Sequence, residues 1–142
     1  MSMAGILLLM LSLVIPRPSL ASEYVDNGDG TVTDQASGLI WQQPHEHEQR
    51  TWKQAVNYCN NLTLGDSNNW RLPAVDELES LINKDRFAPS IDTHYFNDTI
   101  SAYFWSTSSD EAESDHVWIV GFNSGHVSTE HKELRNYARC VR

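Results

Sequence analysis

Cysteine is nearly absent from this 142-residue chain, which has two, Cys59 and Cys140. That rules against a disulfide-dense small fold, and no cluster of Cys and His has the spacing of a structural zinc site. Basic residues are scarce too. Ten Lys and Arg stand against nineteen Asp and Glu, a formal charge of −9, which argues against nucleic acid or another polyanion bound through bulk charge. A local basic patch remains open, because Lys132, Arg135, Arg139 and Arg142 gather near the C-terminus. Long apolar runs are missing as well. Ile6 to Ile15 is too short to span a bilayer as a helix, and Ser19-Leu20-Ala21 supplies small residues at a cleavage position. A secretory signal peptide over 1–21 is expected, followed by one domain over 22–142 with no stable membrane span after cleavage. A buried N-terminal helix or a membrane anchor is the alternative, since no Lys or Arg precedes the run and Arg17 follows it.

The motifs of catalysis are also missing. There is no Gly-x-Ser-x-Gly elbow, no phosphate loop and no His-Glu-x-x-His helix. Carboxylates such as Asp110 and Asp115 do not by themselves define an acid–base pair, because one sequence does not fix their separation. The chain therefore reads as a non-enzyme. Asn27-Gly28-Asp29-Gly30 tempts a calcium reading, but placing Gly30 at position 6 of an EF-hand loop puts Val25 first and Ala36 twelfth. Neither is a ligand, so the tetrad reads as a hairpin turn. His45-Glu46-His47-Glu48 and the run with Asp110, Glu111, Glu113 and Asp115 read as solvated loops. No metal and no cofactor are expected.

What is present is a clear series of elements. Trp70-Arg71-Leu72-Pro73 reads as a short strand and a stop. Behind it Val75, Leu78, Leu81 and Ile82 recur at helical spacing, with Asp76 and Glu77 in the first turn where the helix dipole favours them. Thr51 to Leu62 is the clearest helix. Thr51 and Gln54 make a capping box, and Trp52, Ala55, Val56, Cys59 and Leu62 share one face, which places Trp52 in the core. Strands are expected at Tyr24–Asp26, Thr31–Thr33, Gly38–Trp41, Ala102–Thr107, Val117–Phe122, His126–Thr129 and Tyr137–Val141. The Val117 strand is apolar enough to be central and covered on both faces. Asn83 to Thr99 has no clean period but many apolar residues, the pattern of a loop packed onto the body. In an exported protein two cysteines suggest one bridge, and two unrelated buried thiols are the alternative.

The ordered motifs Gly28-Asp29-Gly30-Thr31-Val32-Thr33-Asp34, Gly38-Leu39-Ile40-Trp41-Gln42, Thr51-Trp52 through Ala55 to Tyr58-Cys59, Trp70-Arg71-Leu72-Pro73 with Glu77-Leu78-Glu79-Ser80-Leu81, Tyr95-Phe96, Phe104-Trp105-Ser106-Thr107 and Arg139-Cys140-Val141-Arg142 resemble the Lcl C-terminal domain family. That family is named for the C-terminal domain of a bacterial collagen-like adhesin. The same motifs are similar to the wider C-type-lectin-like fold, including its formylglycine-generating branch. The resemblance implies an α+β domain with two helices on a twisted, mainly antiparallel sheet, paired terminal strands, a Cys59–Cys140 bridge and a long-loop region carrying ligand contacts. Calcium-dependent sugar binding does not transfer, because the long loop lacks Glu-Pro-Asn and Gln-Pro-Asp and Trp118 is followed by Ile119 and Val120. Formylglycine-generating activity does not transfer, because no cysteine is spare. With 7 Gly there is no collagen repeat.

The expected function is a secreted or periplasmic recognition module of the cell envelope, binding a glycan or a cell-surface protein without calcium. Its expected contacts are Tyr95, Asn97, Asp98, Asp110, Glu113, Asp115 and Asn123. The rival reading is a structural interaction subunit of an envelope assembly.

Overall fold

The computed structural model describes residues 13–15 and 23–142. The expected signal peptide, 1–21, lies outside the described residues apart from 13–15. The first sheet is antiparallel, ordered β1 (Tyr24–Asp26), β2 (Thr31–Asp34) and β3 (Ile40–Gln42). Its first turn closes as the Asn, Asp and Gly content predicts. Gly28 and Gly30 take positive φ, and the Asp26 and Asp29 carboxylates accept from the Gly28 and Thr31 backbone N–H groups.

Helix α1 (Trp52–Asn60) starts at the predicted capping box. The Thr51 hydroxyl accepts from Gln54 N–H, and the Gln54 side chain accepts from Thr51 N–H. Helix α2 (Val75–Glu79) is shorter than the apolar spacing predicts, ending in a tight turn through Ser80 that still delivers Leu81 to the core. Its start explains the Trp-Arg-Leu-Pro motif. Arg71 makes paired bonds of 2.7 and 2.9 Å to Glu77, whose Oε1 also accepts from Ala74 N–H. Leu72 and Pro73 are buried, and the Pro73 carbonyl accepts from Thr107 N–H.

The second sheet is β4 (Tyr103–Ser109), β5 (His116–Gly121) and β6 (His126–His131), also antiparallel. β5 is central, as its apolar run predicts. Val117 and Ile119 join the cluster of Ala55, Cys59, Trp70, Leu72 and Trp105, while Val120 and Phe122 join that of Val32, Trp41, Leu78, Phe96 and Phe104. The domain is therefore α+β with two three-stranded sheets, not one continuous sheet. Residues 136–142 form isolated bridges instead of the predicted regular strand, and those bridges join the two sheets. Ile40 and Arg142 exchange two backbone bonds of 2.9 Å, as do Arg71 and Val141. Tyr137 N–H donates to Tyr103 and its carbonyl accepts from Trp105 N–H. The closing segment thus pairs with β3, two strands away from β1. Cys59 and Cys140 are bridged, with Cα atoms 5.5 Å apart.

Candidate functional site

The structure divides the expected contacts among three places. Tyr95, Asn97 and Asp98 sit on the long loop. Tyr95 is half-buried, packed 5.6 Å from Tyr24 and 4.8 Å from His94, and Phe96 is wholly buried. Asn97 is exposed. Asp110, Glu113 and Asp115 lie on the β4–β5 connection, and Asn123 lies on the β5–β6 turn, where its side chain accepts from Ser124 N–H. The strand between the last two places has six residues, about 20 Å at 3.3 Å per residue. Glu113 and Asp115 are brought together; Asn123 is held apart from them.

The long loop is tied down by groups that no motif identifies as anchors. Arg139, fully buried, donates to the Gln42 and Gln43 carbonyls and to Thr99 Oγ1, and stacks 4.9 Å over Phe96. Desolvation pulls its pKa down to about 10, so it stays charged at neutral pH. Asp98 is the nearest carboxylate, 3.9 Å from Nη2. His45 is also buried, where a solvated loop was expected. Its Nε2 accepts from Ile100 N–H at 3.1 Å, which leaves the proton on Nδ1, facing the Glu46 carbonyl. Burial and the Arg139 charge push its pKa down to about 4. The basic patch dissolves accordingly, with Arg139 buried and Arg142 stacked 5.3 Å over Trp70.

A groove opens at the start of α1, lined by Thr51, Trp52, Lys53, Gln54, Asn57, Lys132 and Glu133, with a volume of ≈ 620 Å³. Trp52 packs against the core cluster of Ala55, Cys59 and Trp105, as its helical face predicts, but is only half-buried. It stands in the first helical turn, with Nε1–H donating to the Ser106 carbonyl at 2.9 Å and the Lys132 ammonium 4.8 Å from the ring centre. An anchored indole among two amides, two ammonium groups and one carboxylate can take a flat apolar face together with hydroxyl or carbonyl groups.

Beside this groove, Lys132 N–H donates to the Asp115 carbonyl, and its ammonium donates to that of Ser114. There Glu113 Oε2 and Asp115 Oδ1 lie 2.8 and 2.9 Å from His116 Nδ1, and Asp115 Oδ2 lies 3.2 Å from His131 Nε2. The hydrogen bond to Asp115 raises the His116 pKa and lowers that of Asp115. Glu113, Asp115 and His116 present ligand atoms all within 4.8 Å of one another, a set able to hold a metal ion. The two histidines escape a reading of the sequence, because only β5–β6 pairing makes residues 116 and 131 neighbours. No helix among the described residues is long and apolar enough to cross a membrane.

Comparison with known families finds that the model described as the Lcl C-terminal domain matches residues 30–142. No curated protein matches the chain.

Proposed function

This chain belongs to the Lcl C-terminal domain family, and from that premise we propose an adhesin-like, non-catalytic recognition module that acts outside the cytoplasm and holds a saccharide in the groove beside Trp52. The kinship with the C-type-lectin-like fold is part of the same reading. Family membership and the Cys59–Cys140 bridge support an extracytoplasmic location, since such bridges persist in oxidising compartments. The groove is the observation that carries the ligand. It offers an aromatic face held by its own N–H bond, with exposed Lys53, Gln54 and Asn57 at its margin. Tyr95, the aromatic expected to contact sugar, is packed against Tyr24 and is less available. The reading is calcium-independent, because Glu133 is the groove's one carboxylate and calcium takes six to eight oxygen ligands.

A glycan array probed with the chain and with Lys53→Ala and Asn57→Ala tests this. Both side chains are exposed, so folding should be spared. The expected result is binding that survives EDTA, falls about tenfold in each variant, roughly the worth of one good hydrogen bond, and perturbs tryptophan fluorescence. Array hits that neither substitution weakens would place the ligand elsewhere. A second reading, a protein-binding subunit of an envelope assembly, is favoured by Phe87, which is 82% exposed on the long loop. Capture of an envelope protein that Phe87→Ser abolishes, with no glycan bound, would replace the first reading with the second.

A further inference from the structure

We propose that Glu113, Asp115 and His116 bind a divalent transition-metal ion, of the zinc or nickel class, and that His131 orients the Asp115 carboxylate from the neighbouring strand. His116 opens β5 and His131 closes β6, directly opposite in the register, with rings 5.5 Å apart. The protonation of His131 follows from its contacts. Its Nδ1 accepts the Glu133 backbone N–H at 3.1 Å, so in the neutral ring the proton is on Nε2, which lies 3.2 Å from Asp115 Oδ2 as its ion-pair partner. His131 is therefore a positioning residue and not a ligand. It fixes one carboxylate oxygen and leaves the other, Oδ1, turned to His116 Nδ1. A hydrogen bond from outside the ligand set to a ligating carboxylate is the usual second layer of a metal site.

The ligand set itself is oversubscribed. His116 Nδ1 carries at most one proton, yet it faces two carboxylate oxygens, Glu113 Oε2 at 2.8 Å and Asp115 Oδ1 at 2.9 Å. The hydrogen bond goes to Asp115, and Glu113 is held by charge alone, whereas a dication among the three atoms engages all of them. The nearest ammonium does not compete, because Lys132 is engaged by the Ser114 carbonyl and the Trp52 ring. Bonds of about 2.1 Å to a tetrahedral ion put ligand atoms roughly 3.4 Å apart. The two gaps to His116 need open by only about half an ångström, and the Glu113 and Asp115 side chains, more than half exposed, are free to adjust around the ion. One imidazole with two carboxylates suits a borderline ion; it falls short of the oxygen count calcium requires. The open fourth position is left to water or to a group on a bound ligand.

Titration calorimetry of the full chain, prepared without a polyhistidine tag, with zinc chloride, nickel chloride and calcium chloride tests the site. One zinc or nickel ion per chain is expected, with calcium much weaker. His116→Gln should weaken zinc binding at least a hundredfold, and His131→Gln by ten- to a hundredfold, with unchanged circular dichroism in metal-free buffer. On the unsubstituted chain, zinc should shift the His116 Nδ1 resonance in imidazole nitrogen NMR, a readout independent of how the variants fold. Absence of stoichiometric zinc binding, zinc binding that survives His116→Gln, or calcium bound as tightly as zinc would overturn the site. Full affinity in His131→Gln would overturn the role given to that residue.

Discussion

Arg139 and His45 show how individual residues hold a long irregular loop in place. The Nη1 and Nη2 groups of Arg139 donate to two carbonyls, Gln42 and Gln43, and to the Thr99 hydroxyl, so its removal strands buried acceptors as well as an apolar shell. Arg139→Leu should cost about 3–5 kcal/mol in urea unfolding. Arg139→Lys should recover little of it, because one ammonium cannot span carbonyls and hydroxyl as the fork does. His45 predicts a pH effect whose sign follows from its depressed pKa. The unfolded ring titrates near 6.5 and the folded ring near 4. Between those values the unfolded chain takes up a proton that the folded chain refuses. Its contribution is therefore complete above pH 6.5 and lost as pH falls toward 4. Melting temperature should decline over that window, and His45→Gln should flatten the decline.

Among the elements, those with local chemistry could be read from sequence and those made by distant pairing could not. The α1 capping box, the Asn27–Gly30 turn and the central β5 follow from residues within a few positions of one another. The inward-facing Cys59 follows from helical spacing alone. The closing segment carries strand-forming residues, but its partners are four separate pieces of chain, around Trp41, Arg50, Arg71 and Phe104, and no local pattern announces them. The candidate site divides the same way. Glu113 and Asp115 stand out as acids, while His131 comes beside them only through strand register, and Trp52 packs on the core as its spacing predicts while its other side meets the groove. Two predictions belong here. Glu77→Gln removes the charge from a paired bond to Arg71 while α2 also relies on Glu77 at Ala74 N–H. It should cost about 1 kcal/mol, measurable by thermal unfolding. Gly65 has φ +58, and a Cβ there would stand 2.9 Å from Asp29 Oδ2 and Thr31 Cγ2. Gly65→Ala should destabilise by about 1–3 kcal/mol in the same assay.

For the whole molecule, the bridge joins α1 to the closing segment across a sequence separation of 81, a loop that the chain-entropy model values at about 4–5 kcal/mol. A Cys59→Ala/Cys140→Ala double variant should unfold about 2–5 kcal/mol more easily by denaturant titration. Residues 136–142 are the seam through which the two sheets are joined. The Arg71 segment, β3 and β4 each lack a neighbour until residues 136–142 are in place. Trimming those few residues should therefore unzip far more of the molecule than their number suggests, since both sheets and the covalent tie lose their common seam together.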